Sequence, residues 1–164
     1  MANFIVRLAK PGDCEQIADL IKELAVYEKM EEQVKITADV LRTDGFGEEK
    51  FYHCFVAELK DKPLLVGYAL YYYSYSTWEG RSIYMEDLYV KPEFRGKGIG
   101  TQLWKSVTKV GIEKQCSRLD FIVLNWNVNS IEYYKQKGAF DLTRTEKWHL
   151  FRMKESEMKA FIAP

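Results

Sequence analysis

The sequence predicts an α/β protein, a mixed central β-sheet with flanking helices. Three observations point to it. Stretches of period-two and period-3.6 patterning follow one another in the order βααβββαβαββα, with no repeat, linker or low-complexity segment. Aromatic residues make up 15% of the chain, eleven of them Tyr, a composition that suits sheet surfaces. A glycine-rich loop follows a long strand and opens a helix late in the chain.

Each element has a local reason. Phe4 to Leu8 reads as a strand, broken by Pro11-Gly12-Asp13, where Asp13 caps a helix. Ile17, Leu20, Ile21 and Leu24 give that helix an apolar face ending near Tyr27. Glu28 to Lys50 is mostly polar; Thr37 caps a short helix through Val40 and Leu41, and Asp44 to Gly47 reads as a loop. Strands follow at His53 to Leu59 and Leu64 to about Tyr75, joined by a Lys60-to-Pro63 turn. After the Trp78-to-Arg81 turn, Ser82 to Val90 is a further strand, stopped by Lys91-Pro92. The loop Arg95-Gly96-Lys97-Gly98-Ile99-Gly100 then opens a helix to about Ile112, with Ile99, Leu103, Val107 and Val110 facing inward. Leu119 to Leu124 reads as a strand interrupted by Asn125-Trp126-Asn127, and a helix runs from about Asn129 to Gln136, with Gly138 suited to its C-terminal turn. Short strands at Phe140 to Thr143 and Trp148 to Met153, and a helix over Ser156 to Phe161, complete a single domain of 164 residues.

Composition narrows the function classes. With 24 basic and 24 acidic residues there is no overall basic field for nucleic acid or anionic lipid. Cys14, Cys54 and Cys116 are odd in number and widely spaced, which points to free thiols in a reducing compartment and a cytoplasmic location. Met1 to Lys10 has no signal-peptide core, and Val66 to Tyr75 is shorter than the roughly 20 residues a bilayer requires. His53 and His149 form no metal-ligand spacing with the cysteines, so no metal is expected, and no GxSxG elbow supports hydrolase chemistry.

The glycine loop carries the chemistry. Glycines at a helix N-terminus allow close approach to a pyrophosphate, which meets unpaired N–H groups and the positive end of the helix dipole. Glycines required only by a tight turn explain the string equally well. The pattern is neither a P-loop nor a dinucleotide fingerprint, because Thr101 stands where the third glycine of the latter belongs.

Arg95 to Gly100, preceded by Leu88-Tyr89-Val90 and Pro92-Glu93-Phe94, resembles the coenzyme A motif of the GNAT acetyltransferases. Tyr27-Glu28, Asp44 to Gly47, Phe51 to Cys54, Tyr84 to Asp87 and Tyr134-Lys135 are similar to the spermidine/spermine N1-acetyltransferases, the diamine acetyltransferases. Ser76 to Arg81 is more similar to the branch that favours thialysine. The chain departs from the pattern at the short Lys60-to-Pro63 connection, at Asn125 in place of an acidic residue, and at Lys147 in place of a glycine.

The resemblance implies a GNAT fold whose two adjacent parallel strands splay apart, with acetyl-CoA as cosubstrate and a homodimer. It implies that Leu88, Tyr89 and Val90 bind the pantetheine arm through their backbone. Arg95, Gly96, Lys97, Gly98, Ile99, Gly100 and Thr101 would hold the diphosphate, and Asn127, Val128, Asn129 and Ser130 would also contact the coenzyme. It aligns Tyr27, Glu28, Glu86, Asp120, Phe121, Ile122 and Glu146 with substrate contacts. At Asp120 the family carries a basic or imidazole side chain; a carboxylate there should favour a polycation such as spermidine and disfavour a substrate with its own carboxylate.

Acetylating an amine requires the nucleophile to be neutral. A lysine-like amine has a pKa of about 10.4, so deprotonating it at pH 7 costs about 4.6 kcal/mol. The resemblance makes Glu86 the proton acceptor, through a water, and Tyr134 the donor to the departing sulfur; Tyr133 lies about 100° round the helix. Strand alternation places Asp87 on the face opposite Glu86. Two other readings stand beside a small-amine acetyltransferase: a protein lysine or N-terminal acetyltransferase, and a non-catalytic coenzyme A-binding interaction protein.

Overall fold

The computed structural model describes residues 3–163. The chain divides into two compact units, Met1–Ile122 and Val123–Pro164.

The first unit holds a five-stranded sheet in the order β1-β2-β3-β4-β5, with strands Phe4–Leu8, His53–Leu59, Leu65–Ser76, Gly80–Val90 and Arg118–Asp120. The first four strands pair antiparallel, and β4 pairs parallel with β5. Helices α1 (Cys14–Glu28) and α2 (Ala38–Phe46) pack with one face, where Ile17, Leu20, Leu41, Val56 and Tyr68 are buried together. Helix α3 (Ile99–Glu113) covers the other face with Ile99, Leu103 and Val107, against Ala69, Tyr71, Ile83, Met85 and Val90. Arg7 fixes the entry to α1: its guanidinium donates to both oxygens of Asp13, at 2.7 and 2.9 Å, and its Nε to Glu58 at 2.7 Å. Gly67 lets α3 lie close to the sheet, since a Cβ there would stand 2.7 Å from the Tyr89 carbonyl oxygen and 3.3 Å from Leu103.

The parallel pairing is short. It joins Ser82 to Arg118, Ile83 to Leu119 and Tyr84 to Asp120, then stops, although β4 continues to Val90. The splayed arrangement of the two parallel strands follows directly. Residues 121–124, expected to extend the strand, are not in one, because no partner backbone accompanies them.

The second unit contains helices α4 (Val128–Gln136), α5 (Leu142–Thr145) and α6 (Glu155–Ile162). Asn127 caps α4, its side-chain oxygen accepting from the Ser130 N–H. The strands expected at Phe140 to Thr143 and Trp148 to Met153 do not form: Leu142–Thr145 is a helical turn, and residues 147–154 have no regular structure. Phe140, Leu150 and Phe151 are each more than 80% exposed, so their apolar alternation has no ladder to join. Asp44 to Phe46, read as loop, instead forms the last turn of α2, with Gly45 packed under Tyr52, whose hydroxyl donates to the Leu41 carbonyl at 2.8 Å. Among the described residues no helix is long and apolar enough to cross a membrane.

Candidate active site

The glycine loop sits where β4 hands over to α3. Gly96 and Gly98 adopt φ of 73° and 81°, conformations that side chains resist, and Gly98 is the residue from which α3 starts. A Cβ at either would meet nothing within 4 Å, so the backbone demands glycine while the space above the loop stays open. No acidic residue occupies the first turn of α3. The N–H groups of that turn lack intrahelical acceptors, which suits a diphosphate. These residues therefore fit the phosphate end of a coenzyme A molecule.

The two cations of the loop behave differently from simple phosphate ligands. Arg95 donates Nε to the Val90 carbonyl at 2.8 Å, and its guanidinium lies 5.0 Å from the Tyr27 ring centre and 5.6 Å from that of Tyr89. Arg95 thus ties the loop to β4 and to the end of α1. Lys97 folds back, donating to the Glu93 carbonyl at 3.0 Å beside the Phe94 ring. The Tyr89 hydroxyl donates to Glu23, which also receives Lys91. Nothing in the sequence marks Glu23 for this role.

The centre of β4 departs from regular alternation. Leu70 pairs with Asp87 and Tyr71 with Met85, so β4 carries one extra residue, Glu86, in a β-bulge. The Tyr68 hydroxyl donates to Asp87 Oδ2 at 2.8 Å, and the Tyr72 hydroxyl to Glu86 Oε2 at 3.5 Å. Tyr68 and Tyr72 are four residues apart on β3 and share a face. The expectation that Asp87 faces away from Glu86 is therefore wrong: the bulge turns both carboxylates toward the α1 side. Glu86 remains exposed, whereas Asp87 is partly buried.

Burial pushes the Asp87 carboxyl up to about 6; the Tyr68 hydroxyl opposes this, and the charges of Glu86 and Glu28 reinforce it. Burial also raises Glu28 above the ordinary carboxylate range. For Asp87 the folded pKa exceeds the ordinary 3.8, so its protonated form stabilises the fold below about pH 4 and that contribution is lost as pH rises through about 6. The gap corresponds to about 3 kcal/mol, reduced to roughly 2 kcal/mol by partial exposure. Asp87→Asn is expected to raise the melting temperature by several degrees at pH 8 and by little at pH 4.5, as read by thermal denaturation. A pH-independent difference would contradict this account.

Asp120 and Phe121 separate as alternation requires. Phe121 packs with the α3 core, its ring 5.7 Å from Trp104, so its side chain is structural. Ile122 is 67% exposed. Asp120 lies beside Tyr84 on the opposite face, and its carboxylate is not uncompensated: Arg118 Nε donates to Oδ2 at 2.9 Å. That pairing removes the premise on which Asp120 was expected to select polycations. In the second unit, Glu146 accepts from the Trp148 indole at 2.9 Å. Tyr134 lies in α4, its ring centre 5.7 Å from that of Tyr133, and burial with the neighbouring Tyr133 pushes its phenol up to about 12. Asn127 to Ser130 form the N-terminal turn of the same helix.

The loop, the splayed parallel pair and the carboxylates beside them describe an acyl-coenzyme A transferase site, and comparison with known proteins agrees. The model of the acetyltransferase (GNAT) family matches residues 15–139, and the chain belongs to that family. It is an acetyl-CoA-dependent N-acetyltransferase. It is 53% identical to a thialysine N-epsilon-acetyltransferase of Bos taurus over 165 residues, covering 97% of each chain. It is 43% identical to a spermidine/spermine N(1)-acetyltransferase-like protein 1 of Homo sapiens, covering 96% of this chain and 24% of that one. Among solved structures, an integron cassette protein of V. cholerae superposes with a TM-score of 0.77 at 22% identity over 98% of both chains. An aminoglycoside N-acetyltransferase in complex with CoA superposes at 0.71 with 20% identity, over 92% of this chain and 95% of that one. These two likenesses speak to the fold. Among the described residues no group of side chains is arranged to hold a metal ion.

Proposed function

We propose that this protein, acting as one catalytic domain, acetylates the terminal primary amine of a small cationic molecule, thialysine or a polyamine. The observation that carries the reading is the bulge that lifts Glu86 out of the β4 ladder onto the face shared with Tyr72 and Asp87. The names of the relatives, thialysine and spermidine/spermine acetyltransferases, support the substrate class.

In this reading Gly96 to Thr101 and Asn127 to Ser130 hold the coenzyme, with the backbone of Leu88, Tyr89 and Val90 beside its pantetheine arm. The bound coenzyme supplies an acyl thioester whose carbonyl carbon accepts the amine. Glu86 removes the amine proton through a water. Tyr27, Glu28 and Asp120 are read as contacts of the cationic substrate, and Tyr134 as the acid that keeps its phenolic proton for the sulfur. The free thiols Cys14, Cys54 and Cys116 agree with a cytoplasmic setting, and a homodimer is the expected assembly.

Thiol release from acetyl-CoA should be compared across thialysine, lysine, spermidine, spermine, putrescine and a lysine-bearing peptide. A small amine should have the highest kcat/KM. A peptide turned over far faster than every small amine would replace this reading with a protein acetyltransferase, and thiol release with none of them would leave only coenzyme binding.

A further inference from the structure

Resting on the reading of Glu86 as the amine end of the site, the same sheet face shows what should lie at the other end of the substrate. Asp120 is the register partner of Tyr84. The Tyr84 ring stacks on Tyr72, centres 5.2 Å apart and 24° between planes, and Tyr72 reaches Glu86. Beyond Asp120, Arg118 donates Nε to Asp120 and one terminal nitrogen to Glu79 at 2.8 Å. One face therefore presents a carboxylate, two stacked phenol rings, and then a guanidinium held between two carboxylates.

We propose that this face binds an α-amino acid bearing a side-chain amine, with its α-carboxylate on Arg118, its α-ammonium beside Asp120, and its terminal amine at Glu86. A guanidinium has five N–H donors in a planar fork. The bonds to Asp120 and Glu79 use two of them, so Arg118 keeps donors for a third carboxylate, and its side chain is 42% exposed. A zwitterionic head offers Arg118 and Asp120 each its complement, whereas a second ammonium without a carboxylate meets Asp120 but also the like charge of Arg118.

The spacing agrees. Two steps along β4 at ~3.3 Å and one crossing of ~4.8 Å separate Glu86 from Asp120 by roughly 8 Å between backbones. A lysine-length side chain spans about 6 Å from terminal nitrogen to α-carbon, at about 1.25 Å per bond. A chain of that length covers most of that interval. A spermidine molecule, with nine bonds between its end nitrogens, spans about 11 Å at the same length per bond and would overrun this interval.

The test compares two substrates that differ only by the carboxylate: thialysine and its decarboxylated counterpart, bis(2-aminoethyl) sulfide. For Arg118→Gln, KM for thialysine should rise roughly 10- to 100-fold with kcat little changed, as for loss of a charge-assisted hydrogen bond. KM for the sulfide diamine should stay within about threefold or fall. Arg118→Lys, which keeps the charge but not the fork, should recover part of the loss. Equal effects on both substrates would make Arg118 only a surface ion pair and overturn the proposal, as would no effect on either. If wild-type protein acetylates neither compound nor any other small amine, the reading of Glu86 fails first and takes this one with it; normal turnover of thialysine with an indifferent Arg118 defeats the carboxylate contact alone.

Discussion

Tyr134→Phe is expected to lower kcat by roughly 10²- to 10³-fold while leaving coenzyme A affinity within about threefold. The magnitude follows from the acidities involved. Burial and Tyr133 push the Tyr134 phenol up to about 12, so it carries its proton throughout the neutral range. A thiol resembling cysteine has a pKa of about 8.5, so complete transfer from such a phenol to the sulfur would be uphill by roughly 5 kcal/mol. In the proposed role Tyr134 would supply mainly a hydrogen bond to the sulfur as charge develops there, and removing one such donor costs about the fold-change given. Binding of the coenzyme makes little use of that bond, because the ground-state thioester sulfur is a poor acceptor. Tyr133→Phe should change kcat by less than about threefold, since one helical step carries its side chain about 100° away. Pre-steady-state acetyl transfer and calorimetric titration with coenzyme A would read the two quantities separately. An unchanged kcat in Tyr134→Phe would remove this residue from the chemistry.

How much of this was visible in the sequence depends on whether a feature is local. The hydrophobic periods of α1, α3 and the first four strands state which face is buried, and the structure follows them. The glycine loop was legible because positive φ at Gly96 and Gly98 has a residue signature. The end of β5 was not, since Phe121 to Leu124 continues the apolar pattern while the strand ends where its partner diverges, a fact of β4 rather than of those residues. The Glu86 bulge has no glycine or proline to mark it and emerges only from pairing β4 with β3. The tail was misread for the converse reason: Phe140 and Trp148 to Phe151 carry strand-like apolar residues that stay exposed. Arg118 could have been found, because residues two apart on a strand share a face and an Arg beside Asp120 alters what that carboxylate selects.

The second large effect concerns the proton on the amine. Glu86→Gln should lower kcat/KM by roughly 10²-fold at pH 7, with the deficit shrinking to about tenfold or less by pH 9.5. The side chain keeps its size and its acceptor for the Tyr72 hydroxyl, so the bulge and the sheet register have no reason to change. What is lost is a group able to take a proton. At pH 7 only about one molecule in 2,500 of an amine with pKa near 10.4 is neutral, and a site without a base must wait for that fraction. Each unit of pH raises the fraction tenfold until the amine itself titrates, so the variant's rate should climb with a slope near one where the wild-type rate has begun to level. Asp87 sharpens the comparison, because with a pKa of about 6 it has completed its titration below this range and contributes no slope of its own. A low-pH limb near pH 6 shared by wild type and Glu86→Gln, and absent from Asp87→Asn, would identify Asp87 as its source. If Glu86→Gln instead runs parallel to wild type across the whole range, the carboxylate that the bulge exposes only shapes the pocket, and another group must receive the amine proton.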